Sequence, residues 1–191
     1  MRRAAPVMLA ALGLLMSFGS AQALFGNPLD ADIRSQTDQG TSVPVNPIPR
    51  ELVAYAGGDA PGTIIVSTAE RRLYLVLDGG RAMRYGIGVG RPGFTWSGVK
   101  TVTRKAEWPA WTPPSQMLKR RPDLPRYMEG GEDNPLGARA MYLGGSLYRI
   151  HGSNEPGTIG QAVSSGCIRM TNEDVMDLYE RVRVGTKVVV R

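Results

Sequence analysis

"HGSNEPGTIGQAVSSGCIRM", residues 151–170, contains the only histidine of the chain, His151, and its only cysteine, Cys167. Nearness in sequence does not make them partners, since two singletons often fall this close by chance. The flanking chain is more informative. "RAMYLG" and "SLYRIHG", separated around Gly144-Gly145, read as a hairpin whose second strand ends at His151. Residues 153–160, rich in Gly and Pro, let the chain turn back. After the cysteine, Thr171 and Asp174 form a capping pattern, and Val175, Leu178, Tyr179 and Val182 follow at helical spacing until Gly185. The imidazole is therefore expected at a strand end, and the thiol just ahead of a helix start.

Outward from this stretch the signals are mostly strand. "TIIVST" at 63–68 is β-branched. "RLYLVLD" at 72–78 alternates, with Leu73, Leu75 and Leu77 on one face. Asp78-Gly79-Gly80 is a turn, "AMRYGIGV" at 82–89 returns as its hairpin partner, and "VKTVTRKAEW" at 99–108 and "KVVV" at 187–190 add strands. Only the segment after Thr171 predicts a helix. Residues 108–136 carry six prolines and no clean period. Trp108, Trp111 and Tyr127 in this insertion argue against plain disorder. It is either a lid over a site or a solvated structural loop.

The N-terminus reads as a secretory signal peptide over residues 1–23. Arg2 and Arg3 precede an apolar run at 7–18, and Ala21-Gln22-Ala23 is a small-x-small cleavage site. A membrane anchor is the alternative, but the run is short for a span. Residues 24–60, with Pro44, Pro47 and Pro49, predict a flexible tether. Residues 61–191 predict one domain, with no transmembrane segment after signal cleavage. Removing residues 1–23, which hold two arginines and no acid, takes the formal charge from +6 to +4. That excess suits an anionic envelope polymer, and no basic run with interleaved aromatics points to nucleic acid.

One cysteine cannot close an intramolecular disulfide, and one histidine with one cysteine falls short of the four ligands that structural zinc prefers. No metal and no cofactor are expected. Two near-motifs also fail on context. Gly88-Val89-Gly90-Arg91-Pro92-Gly93 matches G-x-G-x-x-G, but "FTWSGVKTV" after it reads as turn and strand, not the helix a dinucleotide needs. Ser97 and Lys100 match S-x-x-K without the downstream partners of serine penicillin-binding enzymes.

A thiol becomes a strong nucleophile as thiolate, which a neighbouring imidazole and a helix N-terminus both favour. Gly166 gives a substrate room, and its N–H and that of Cys167 could bind an oxyanion. Arg169 could hold a carboxylate or the loop itself. A buried cysteine and a satisfied histidine that never touch fit these residues equally well.

The fuller pattern "HGSN…IG…SSGCIRM.N.D…LY" resembles the signature of the L,D-transpeptidase (YkuD-type) catalytic domain family, from about Thr63 to Val190. The resemblance implies a mainly β, compact sandwich- or barrel-like domain with one helix after the cysteine motif. It implies Cys167 as nucleophile, His151 as base and the Gly152 carbonyl orienting the imidazole. It also implies oxyanion or substrate roles for Gly166, Ser165, Arg169 and Asn172. The implied partners are peptidoglycan stem peptides, with an envelope protein as a possible acyl acceptor, and the implied compartment is the periplasm. The same site with water as acceptor is an L,D-carboxypeptidase; a non-catalytic wall-binding module is the alternative of another class. Two positions depart from the family pattern: Ser165 stands where many members have histidine, and Trp96 where many have proline.

Overall fold

The structure is a computed structural model that describes residues 48–191. The expected signal peptide and residues 24–47 of the expected tether lie outside the described residues.

The described residues form eleven strands: β1 (Glu51–Ala54), β2 (Ile64–Ser67), β3 (Arg72–Leu77), β4 (Arg81–Gly86), β5 (Val89–Gly90), β6 (Gly98–Glu107), β7 (Arg139–Leu143), β8 (Arg149–His151), β9 (Ala162–Ser164), β10 (Ile168–Arg169) and β11 (Lys187–Val190). Nine form one sheet in the order β1-β4-β3-β2-β11-β6-β7-β8-β10, while β5 pairs with β9. Neighbours in the large sheet are antiparallel except β2 with β11 and β8 with β10.

The long strand β6 joins the two halves of the sheet. Residues 98–101 pair with β11, and residues from Val102 onward pair with β7 across a register shift between Val102 and Arg104. A bulge of this kind bends a strand and raises its twist. Both halves consequently contribute to one core: Ile64, Val66, Leu73 and Leu75 from one side, Met141, Leu143, Ile150 and Ile168 from the other. The alternation read from "RLYLVL" is realised there, with Leu77 packed partly against the same core.

The predicted helix, α2 (Asn172–Arg181), completes the core with Val175 and Leu178, both fully buried. Its start matches the capping pattern: Thr171 Oγ1 accepts from the Asp174 N–H at 3.2 Å. At its far end Lys105 Nζ donates to the carbonyls of Tyr179 and Val182, a cation where the helix dipole is negative.

Three differences from the sequence expectations stand out. Within the expected tether, Glu51–Ala54 form an edge strand on β4, too short to show a period. The return strand predicted at 82–89 breaks at Ile87-Gly88, so β4 and β5 enter different sheets. A second helix, α1 (Ser115–Arg120), lies in the insertion; with six residues and none buried, it left no apolar stripe to read. Among the described residues no helix is long and apolar enough to cross a membrane.

Candidate active site

The strand pair β8–β10 positions the chemistry. Ile150 pairs with Ile168, and His151 with Arg169. Both isoleucines are buried in the core. Side chains alternate across a strand, so His151 and Arg169 share the opposite face. Two positions back along the chain, Arg149 of β8 and Cys167 of the turn before β10 face the cleft too. All four side chains line one cleft of about 800 Å³, a size typical of a site for a small molecule or short peptide.

The turn before β10 presents the thiol. Gly166 sits at φ +105°, and a Cβ there would come within 2.5 Å of Tyr148 Cε1, so the position requires glycine. The buried Ser164 hydroxyl accepts from the Gly166 N–H at 3.1 Å and donates to the Cys167 carbonyl at 2.6 Å. Trp96 Nε1 donates to the Gly166 carbonyl at 2.8 Å, and the Trp96 ring stacks on Tyr148 with centroids 4.6 Å apart. Cys167 is partly exposed, and its thiol contacts the Leu147 carbonyl at 3.7 Å. Among the described residues the thiol has this partner rather than the imidazole.

His151 is 5% exposed and donates from Nδ1 to the Gly152 carbonyl at 2.6 Å. That bond places the ring proton on Nδ1 and leaves the Nε2 lone pair free. Burial, with the charges of Arg169 and Arg149, pushes the imidazole pKa down to about 3 against the opposing Gly152 bond. The ring is therefore neutral at neutral pH and able to accept a proton.

Gly152 is held in turn. Its N–H donates to the Arg139 carbonyl at 3.0 Å. A Cβ there would collide with Asn172 Oδ1 and press Val175 Cγ1 at 3.2 Å. Asn172 Oδ1 accepts from the N–H groups of Ala138 (2.9 Å) and Ser153 (3.3 Å). Asn172 therefore braces the chain around His151 and does not line the cleft, contrary to the substrate contact expected for it. The Gly166 N–H differs from its expected oxyanion role as well, because Ser164 occupies it; the Cys167 N–H has no acceptor among the described residues.

Arg169 faces the cleft but is engaged with Glu155 at 3.0 Å, tying the 153–160 loop across the site. Its backbone exchanges two hydrogen bonds of 2.9 Å with Gly88, the segment of the G-x-G-x-x-G near-motif. Ser165 lines the cleft. Of the three aromatics in the insertion, only Trp111 does, fixed by a two-bond bridge to Met128. Trp108 and Tyr127 are 42% and 58% exposed and lie outside the lining. The cleft is covered instead by α1 and the segment C-terminal to it, with Met117, Arg120 and Leu124 facing it. Sequence reasoning missed Ser164, Tyr148, Phe94, Glu155 and Arg149. Ser164 was the most accessible of these, as the first serine of the "SSGC" run.

A thiol and a neutral imidazole on one sheet face, opening on a peptide-sized cleft, make this a thiol–imidazole site on a mainly β scaffold. The chain belongs to the L,D-transpeptidase catalytic domain family (YkuD), matching it over residues 61–190. It is 42% identical over 134 residues to the "Probable L,D-transpeptidase ErfK/SrfK" of Escherichia coli K12, covering 65% of this chain and 42% of that one. It therefore spans under half the length of that curated relative. L,D-transpeptidase 3 of Mycobacterium tuberculosis shares the fold at TM-score 0.56 and 19% identity, over 68% of this chain and 60% of that one. A Brucella melitensis structure described as a "Probable carnitine operon oxidoreductase caia" is 47% identical, over 75% of this chain and 93% of its own, at TM-score 0.51. Here residues 88–93 lead into strand β6, not into a dinucleotide-binding helix.

Proposed function

We propose that this domain is an exported, cysteine-dependent L,D-transpeptidase that works on peptidoglycan stem peptides in the periplasm through a thioester. Cys167 Sγ attacks the carbonyl of an L-centre to D-amino-acid bond. The thiol proton passes to Nε2 of His151 as the S–C bond forms. His151 returns that proton to the departing amine as the C–N bond breaks. The Cys167 N–H steadies the developing oxyanion. A second amine, deprotonated by His151, then attacks the thioester carbonyl and frees the thiol. An amine from a neighbouring stem gives a cross-link, an envelope protein gives a wall-attached protein, and water gives L,D-carboxypeptidase activity.

The observation that carries this reading is the single cleft that Cys167 and a neutral His151 both line. The test compares purified parent and Cys167→Ala protein on sacculi and disaccharide-tetrapeptides, with products weighed by mass spectrometry. Loss of products in the variant is expected. Equal product from both would overturn the cysteine-dependent reading, and no product from either would leave a non-catalytic wall-binding module. Incubation with a carbapenem should give one covalent adduct that disappears in the Cys167 variant.

A further inference from the structure

Among the described residues Arg149 is a cleft arginine with no counter-ion and with a buried nitrogen that has no acceptor. Arg169 pairs with Glu155, and Arg121 with Asp123 at 2.6 Å. Arg91 and Arg120 share the ring of Phe94. Arg149 touches only the Tyr142 ring, 5.3 Å away, and its Nε is buried with no acceptor. Arg139 also has an unpartnered Nε, but its terminal nitrogens reach Glu107 and the Ala138 carbonyl. A guanidinium cannot shed its charge, and holding one partly out of water without a partner is costly. A ligand anion would remove that cost.

The place of Arg149 says which anion. It lies on β8, the strand that pairs with β10, and lines the same cleft as Cys167, which immediately precedes β10. One peptide residue spans about 3.8 Å. A carbonyl at the sulfur leaves the carboxylate of the following residue within the cleft that the Arg149 guanidinium lines. Resting on the acyl-transfer reading above, we propose that Arg149 receives the terminal carboxylate of the amino acid that leaves when Cys167 is acylated. It thereby restricts the donor to peptides ending one residue past the scissile carbonyl. The bound carboxylate also offsets one of the two arginine charges that depress the basicity of His151, so the base strengthens when the correct donor is seated. Arg149 is thus a specificity residue that acts before the chemical step.

The probe is a pair of synthetic tetrapeptides, L-Ala-γ-D-Glu-meso-diaminopimelyl-D-Ala as free acid and as its C-terminal amide. Release of D-Ala or D-alaninamide is followed by mass spectrometry. The parent should prefer the acid by about 10- to 100-fold in kcat/KM, the range of a charge-assisted hydrogen bond. Arg149→Gln should lose that preference chiefly through a higher KM for the acid, and Arg149→Lys should keep part of it. A parent that cleaves both peptides equally, or an Arg149→Gln protein that still prefers the acid, overturns the proposal alone. A parent that cleaves neither overturns the acyl-transfer reading, and this proposal with it.

Discussion

Trp96 holds the cysteine turn, its indole N–H donating to the Gly166 carbonyl at 2.8 Å. The ring also lies nearly parallel to Tyr148, at 4°. A departure from the family pattern has therefore become a support for the nucleophile. Trp96→Phe keeps a stacking ring and removes the donor. A neutral hydrogen bond contributes about 1 kcal/mol, so thioester formation with a carbapenem should slow about five-fold. Stopped intact-protein mass spectrometry reads this directly; an unchanged rate would show that the turn needs no such support.

Gly166→Ala tests the same turn from inside. The added methyl meets Tyr148 Cε1 and the Phe94 carbonyl, and a φ of +105° strains any L side chain. The sulfur must shift to relieve this, and displacement of a reacting group by about 1 Å costs about 100-fold in rate. Acylation should fall by that order while circular dichroism remains that of the parent.

The buried imidazole makes stability depend on pH in a defined window. Unfolded, His151 titrates near its ordinary 6.5; folded, near 3. Between these values the unfolded chain binds a proton that the folded chain refuses, so stability falls as pH drops from about 6.5 toward 3 and is unaffected by this group above 6.5. The loss is on the order of 1.4 kcal/mol per pH unit. Denaturant midpoints measured from pH 7 to 4 should show a slope in the parent that shrinks in His151→Gln. Parallel slopes would place the titration elsewhere.

The sequence made the central strands and α2 legible because their apolar residues alternate or recur on one face, as in Leu73, Leu75, Val175 and Leu178. His151 and Cys167 were legible as singletons within a recognisable motif. The features that stayed hidden depend on distant partners. Nothing local says that Asn172 serves Ala138 and Ser153, that Trp96 serves Gly166, or that the exposed rings of Trp108 and Tyr127 turn away from the cleft. β1 and α1, at four and six residues, are too short for any period to appear.

Asn172 supplies a case where brace and substrate contact predict different kinetics. Asn172→Ala leaves the Ala138 and Ser153 N–H groups without their acceptor, at a cost of about 1–3 kcal/mol. The Gly152 carbonyl that orients His151 moves with them. The expected outcome is a fall in kcat with KM nearly unchanged, and recovery in Asn172→Asp, which keeps the acceptor oxygen. A rise in KM alone would return Asn172 to the substrate.

The insertion is latched to the domain by Phe94, whose ring carries Arg91 at 4.2 Å and Arg120 of α1 at 5.3 Å. Each such contact contributes about 0.5–1 kcal/mol at a half-exposed site. Together they are small enough to open and close on the timescale of turnover, and no buried side chain of α1 adds to them. Phe94→Ala should raise amide hydrogen exchange across residues 115–121 without lowering global stability by more than about 1–2 kcal/mol. If the insertion closes over the stem peptide, kcat/KM for a tetrapeptide should fall several-fold in the same variant, while the small carbapenem acylates Cys167 at the parental rate. Equal turnover of the peptide by parent, Phe94→Ala and a protein lacking the insertion would remove the lid and leave a structural loop.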